Sequence, residues 1–173
     1  MGSSYIELWT TSEEDLKPCE SLNYGVGGST IADQQRFLQR IAVPLRPESL
    51  VVYAGSNDMT GARFGSKRGT LVAAGVLDYL DSVRDALPEC RILYVSITQA
   101  PVRVRAHHEI RLANAIIRRG IGSRQGMEFV DTDAAILRAQ GTDGDLFEAD
   151  RLHLNASGYR VFASVIRSAL LGG

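Results

Sequence analysis

Asp150 and His153 stand three residues apart in the run Asp150-Arg151-Leu152-His153-Leu154-Asn155, just ahead of the last helical stretch. A carboxylate and an imidazole at that spacing meet on one turn. The carboxylate can then hold the ring in one tautomer while the other ring nitrogen acts as general base. That is hydrolase chemistry, but Asp and His at this spacing also occur on solvated surface turns, so the pair gains meaning only from what lies upstream. Ser4, in Gly2-Ser3-Ser4-Tyr5-Ile6-Glu7, offers a hydroxyl. Serine with Glu three residues later is a capping-box signature, which predicts Ser4 at a helix N-terminus, where unpaired N–H groups favour developing negative charge.

Two further motifs carry polar groups to the ends of apolar runs. Asn23-Tyr24-Gly25-Val26-Gly27-Gly28-Ser29-Thr30 follows a predicted strand and precedes a predicted helix. Glycines there let the backbone turn tightly and present its N–H groups to a ligand. Gly25-x-Gly27-x-x-Thr30 lacks the third glycine of a dinucleotide fingerprint, and no acid ends a following strand at the right distance, so a nucleotide cofactor is disfavoured. Gly55-Ser56-Asn57-Asp58 ends the most apolar run, Val51-Val52-Tyr53-Ala54. The Asn57 amide can donate a hydrogen bond into a crevice there, or simply close the strand as an Asx turn.

These groups need a scaffold. Strand patterns at residues 20–23, 49–54, 91–97 and 127–131 alternate with helical stripes. One stripe is Phe37, Leu38, Ile41 and Leu45; another is Val72, Val76, Tyr79, Leu80, Val83 and Leu87; a third is Leu112, Ala113, Ile116 and Ile117. The last carries Tyr159, Phe162, Val165, Ile166, Ala169 and Leu170 at offsets of three and four. Strands alternating with helices of this length imply an α/β protein with a parallel sheet covered on both sides, whose ligands sit at the carboxyl ends of the strands.

At 173 residues the chain fits one domain, residues 1–173, and a chain of this length buries roughly 70% of its unfolded surface. Cys19 and Cys90 lie far apart without metal-ligand spacing and read as two reduced thiols. A formal net charge of -1 provides no basic footprint for nucleic acid. No apolar run approaches the roughly 18 residues of a membrane span, and no leader is visible, so the chain as given reads as cytoplasmic, with secretion the alternative if the natural start lies upstream. Oligomeric state cannot be read.

The four motifs in their order resemble the SGNH, or GDSL-type, family of serine ester hydrolases. The resemblance makes Ser4 the nucleophile of the first block, in a variant where Ser replaces the middle Asp of Gly-Asp-Ser. It assigns oxyanion donors to the Ser4 and Gly28 N–H groups and the Asn57 amide, and the base pair to Asp150 and His153. It implies a flavodoxin-like three-layer α/β/α sandwich without metal or organic cofactor, acting on small-molecule esters or thioesters of a small or carbohydrate-linked acyl group. The chain order Ser, Asp, His also occurs in α/β-hydrolases, but no Gly-x-Ser-x-Gly elbow is present. The rival reading is a catalytically silent or truncated module that keeps the crevice and binds without turnover.

The pattern departs from the family at the start. A strand of roughly five or six residues should precede the first block, yet only Met1 precedes Gly2. A sheet lacking or truncated at its first strand is therefore expected. Either the chain begins late, or residues 5–9 themselves pair as a strand; the capping signature at Ser4 favours the first. His107, His108 and Glu109 read as a solvated helix start, and Asp143 and Asp145 lack a calcium loop. Arg103 and Arg105 could line the site or an exposed loop, Arg118 and Arg119 read as surface, and Trp9 as packed beneath the first helix. Residues 61–69, with Arg63, Lys67 and Arg68, read as a mobile loop near the site.

Overall fold

Side chains alternate across a strand, so each of the three apolar runs that become strands feeds two cores at once. In the computed structural model, which describes residues 1–62, 64–142 and 145–172, these are β1 (Ser49–Val52), β2 (Arg91–Val95) and β3 (Met127–Val130). They form a parallel sheet in the order β1-β2-β3, with Leu50 opposite Ile92, Val52 opposite Tyr94 and Val95 opposite Val130. Arg63, Asp143 and Gly144 of the sequence motifs lie outside the described residues.

Among the described residues, eight α-helical segments surround the sheet. They are α1 (Ser4–Glu7), α2 (Ser12–Asp15), α3 (Ile31–Phe37), α4 (Val43–Leu45), α5 (Gly69–Ala86), α6 (His107–Ile121), α7 (Thr132–Gln140) and α8 (Ala156–Leu171). Leu50, Val52, Ile92 and Tyr94 face Val72, Val76, Leu80 and Val83 of α5 and Ile110, Ala113 and Ile117 of α6. Tyr53, Leu93, Val95 and Val130 face the opposite layer, with Tyr5 of α1, Ile136 of α7 and Phe162 and Ile166 of α8. The result is the expected three-layer α/β/α arrangement. The α6 stripe is rotated from the predicted one, with Ile110, Ala113, Ile117 and Ile121 buried while Leu112 and Ile116 are only half-buried. Helix α7 had no assigned stripe in the sequence; Asp131 caps it by accepting from the Ala134 N–H.

The edge of the sheet beyond β1 decides where Ser4 stands. Gly2 forms isolated parallel bridges to Tyr53 on one side and Gly25 on the other, so Met1 to Ser3 occupies one strand position as a stub. The Tyr53 N–H donates to the Met1 carbonyl (3.1 Å), the Ser3 N–H to the Tyr53 carbonyl (3.3 Å) and the Val26 N–H to the Gly2 carbonyl (2.8 Å). The expectation of a truncated first strand is met in this form. The predicted strand at residues 20–23 is not formed; only Gly25 reaches the stub, and residues 20–23 run as loop. Asn23 is drawn instead into capping α1, its Nδ2 donating to the carbonyls of Ile6 (2.6 Å) and Trp9 (3.2 Å). The alternative of a strand over residues 5–9 also fails, because residues 4–7 are helical.

Candidate active site

Ser4 emerges where the stub turns into α1. Ser3, not Ser4, is the N-cap residue, and no side chain closes the predicted capping box. The Ser4 hydroxyl is engaged elsewhere: its Oγ lies 3.0 Å from His153 Nε2. Ser3 is instead buried with its Oγ 3.5 Å from Ser56 Oγ. As the first helical residue, Ser4 has an N–H with no hydrogen-bond partner among the described residues, as helix geometry requires of a first turn.

His153 and Asp150 share one tight turn between α7 and α8. Asp150 Oδ2 accepts from His153 Nδ1 at 2.6 Å, while Oδ1 accepts the backbone N–H groups of Leu152 (2.8 Å) and His153 (3.0 Å). Those donors, the His153 N–H first, hold the Asp150 carboxyl down at about 2. A carboxylate on Nδ1 places the ring proton there and leaves the Nε2 lone pair facing the Ser4 hydroxyl. Arg151 turns the corner with φ +57°, a left-handed conformation that costs a non-glycine residue about 1 kcal/mol. The corner is held by three backbone bonds: Arg151 N–H to the Glu148 carbonyl, Glu148 N–H to the His153 carbonyl, both 2.8 Å, and Val102 N–H to the Arg151 carbonyl at 3.0 Å.

The glycine motif meets the start of α1. Gly25 has no room for a side chain, since a Cβ there would lie 2.0 Å from the Glu7 nitrogen. Gly28 is required for another reason: its φ is +74°, with open space where a Cβ would be. Its N–H has no partner among the described residues. Asn57 stands next to it, in a short helical turn (Ser56–Asp58) after β1, and its Nδ2 donates to the Ser29 carbonyl at 3.0 Å. The sequence offered this amide as a donor into the crevice or as an Asx turn; in the fold one of its N–H groups is engaged by the Ser29 carbonyl and the second remains. Asp58, whose side chain is buried, ties these segments together by accepting from the Ile31 N–H (3.0 Å) and from Lys67 Nζ (2.7 Å). Lys67 thereby pins the loop before α5 to the crevice.

Several groups that sequence reasoning treated lightly, or missed, prove to be structural parts of this site. Arg103 donates through Nη2 to Asn57 Oδ1 (3.1 Å) and through Nη1 to the Ser56 carbonyl. Tyr5 donates its hydroxyl to the Leu152 carbonyl at 2.8 Å, and burial pushes its phenol well above the ordinary value, so it stays a neutral donor. Trp9 is buried as expected, its indole stacked on Tyr159 and edge-on to Phe162. His107 donates through Nε2 to the Ala100 carbonyl, Glu109 accepts from the Gly69 N–H, and Arg118 pairs with Asp131 at the surface. His107, Glu109 and Arg118 thus stand apart from the crevice. Among the described residues no three His, Cys, Asp or Glu side chains converge as a metal would need, and no helix is long and apolar enough to cross a membrane.

A parallel sheet sandwiched by helices, with hydroxyl, imidazole and carboxylate in line at the carboxyl ends of its strands, is the architecture of an ester hydrolase. The chain belongs to the GDSL-like Lipase/Acylhydrolase family, whose sequence model matches residues 12–161. That match takes in Gly28, Asn57, Asp150 and His153 and begins after Ser4. A human relative, platelet-activating factor acetylhydrolase IB subunit alpha2, is 23% identical over 169 residues, covering 92% of this chain and 69% of its own. The fold is shared with a member of the lipolytic G-D-S-L family from Veillonella parvula (TM-score 0.77, 15% identity, 98% of this chain and 94% of that one). It is shared also with an acetylxylan esterase from Geobacillus stearothermophilus, solved as a catalytic mutant (TM-score 0.74, 17% identity, 98% and 81%).

Proposed function

We propose that this enzyme hydrolyses carboxylic esters or thioesters of a small or carbohydrate-linked acyl group, through an acyl-enzyme formed on Ser4. The observation that carries the reading is the unbroken relay from Ser4 Oγ to His153 Nε2 (3.0 Å) and from His153 Nδ1 to Asp150 (2.6 Å). His153 takes the hydroxyl proton as Ser4 Oγ attacks the acyl carbonyl, and Asp150 stabilises the imidazolium. The tetrahedral oxyanion is met by the N–H groups of Ser4 and Gly28 and by the second N–H of Asn57, each such donor being worth about 10²–10³ in rate. The imidazolium then protonates the departing alcohol or thiol. Water, deprotonated by the same nitrogen, attacks the acyl carbon and returns the Ser4 hydroxyl.

A small acyl group is supported by the relatives: the human protein and the Geobacillus esterase carry acetyl esters in their names while their alcohols differ. A cavity of about 470 Å³ lies beside His153, lined also by Leu8, Thr10, Thr11, Glu148 and Tyr159. The test is hydrolysis of p-nitrophenyl acetate together with labelling by a fluorophosphonate. Ser4→Ala should abolish both with the far-ultraviolet circular dichroism unchanged; undiminished turnover in that variant removes Ser4 from the mechanism.

A further inference from the structure

Residues 101–106, which follow β2, form a short 3₁₀ segment that is broken at Arg103, where φ and ψ are −97° and 25°. The break lets neighbouring residues serve two different places. Val102 N–H donates to the Arg151 carbonyl on the turn that carries Asp150 and His153. Arg103, half-buried, reaches the opposite wall of the crevice, where its guanidinium holds the Ser56 carbonyl and Asn57 Oδ1.

We propose that Arg103 is a positioning residue for the oxyanion donor: it fixes which end of the Asn57 amide faces the reacting carbonyl. This rests on the hydrolase reading above, in which Asn57 is such a donor. A guanidinium only donates, so it satisfies Oδ1 and cannot satisfy an NH₂ group. Turning the amide over would set two donors against each other at Arg103 and two acceptors against each other at the Ser29 carbonyl, which now accepts from Nδ2 at 3.0 Å. Both ends of the amide therefore select the same orientation, and one N–H of Nδ2 is left for the substrate. The charge also withdraws electron density through Oδ1, making that remaining N–H a better donor. Of the five N–H groups of Arg103, one on each terminal nitrogen is taken by the Ser56–Asn57 turn.

The test uses the full chain with Arg103→Met, Arg103→Lys, Asn57→Ala and the double variant Arg103→Met/Asn57→Ala. The Asn57 side-chain amide resonance, identified by its loss in Asn57→Ala, should show hydrogen exchange at least about tenfold faster in Arg103→Met than in the wild type. Fluorophosphonate labelling of Ser4, and kcat for p-nitrophenyl acetate at unchanged KM, should fall roughly 10- to 100-fold in Arg103→Met, less than the 10²–10³ typical of losing a donor outright. Arg103→Lys should recover part of the loss, and the double variant should be no slower than Asn57→Ala alone. Unchanged amide exchange, or additive losses in the double variant, overturns the proposal. So does a raised KM confined to anionic esters, which would make Arg103 a substrate contact. A wild-type chain that resists labelling at Ser4 overturns the nucleophile assignment instead, while the amide exchange still decides the role of Arg103.

Discussion

The hydroxyl of Tyr5, the residue after Ser4, donates to the carbonyl of Leu152, the residue before His153, at 2.8 Å. The proposed nucleophile and base thus come from opposite ends of the chain but are joined by a bond between their immediate neighbours. Tyr5 is in turn stacked on Tyr53 at 4.8 Å, and its own carbonyl accepts from the Tyr159 hydroxyl at 3.1 Å. Tyr5→Phe keeps the stack and deletes only the tie. It should cost about 1 kcal/mol of stability, the usual worth of one such bond, and lower kcat/KM roughly tenfold by loosening the Ser4–His153 distance. Urea denaturation and steady-state kinetics check the two halves; an unaltered kcat/KM would leave the tie with a folding role only.

Ser4 and His153 act as one unit in the proposed mechanism. Ser4→Ala and His153→Ala should each lower kcat by at least roughly 10⁴, and the double variant should be no worse than either alone. The measurement is turnover of p-nitrophenyl acetate after removal of trace wild-type enzyme by active-site titration. Multiplying losses would show that the two residues contribute independently.

Asp150 shapes the acid behaviour. Its carboxyl is held down at about 2 in the folded chain, below the ordinary aspartate value of 3.8. A depressed value means that Asp150 contributes stability above the ordinary carboxylate range and that this contribution is lost as pH falls from about 4 towards 2. The wild type should therefore lose stability faster than Asp150→Asn over that window, read from urea midpoints. Above pH 4 Asp150 remains ionised, so its carboxylate should add no step of its own to log kcat/KM there. An Asp150 side-chain carboxyl carbon resonance that titrates above pH 4 would contradict the carboxylate assignment.

Gly25 and Gly28 are three residues apart and needed for different reasons. Gly25→Ala drives a Cβ to 2.0 Å from the Glu7 nitrogen and 2.4 Å from the Glu7 Cα, so the backbone of α1 must move. At least about 2 kcal/mol of stability should be lost, and Ser4 displaced with it. Gly28→Ala meets nothing within 4 Å and carries only the strain of φ +74°, about 1 kcal/mol. Urea denaturation of the pair should give that order, and the reverse order would refute the packing account.

Much of this molecule is legible in its residues. Val51-Val52-Tyr53-Ala54 and Arg91-Ile92-Leu93-Tyr94-Val95 announce buried parallel strands because they are apolar on both faces, and both faces are covered. Asp150 and His153 are readable because three residues of chain suffice to close their hydrogen bond. The loop at residues 20–23 misleads because it stands just ahead of a glycine-rich turn, where an α/β chain commonly ends a strand, whereas the Asn23 amide is taken by the carbonyls that end α1. Ser4 misleads in a similar way: its capping signature is genuine as a pattern, but its hydroxyl meets an imidazole 149 positions further along.

By themselves, the amino-acid types and their local order determined the alternation of strand and helix, the turn that joins Asp150 to His153, and the glycines at the crevice. Those depend on backbone conformation and on contacts a few residues long. Only the tertiary structure decided that Met1 to Ser3 would be held between Tyr53 and Gly25, that Ser4 would face His153, and that Arg103 would take hold of Asn57. Each of these joins residues from separate elements, and such contacts exist only once the sheet has set the strand ends side by side.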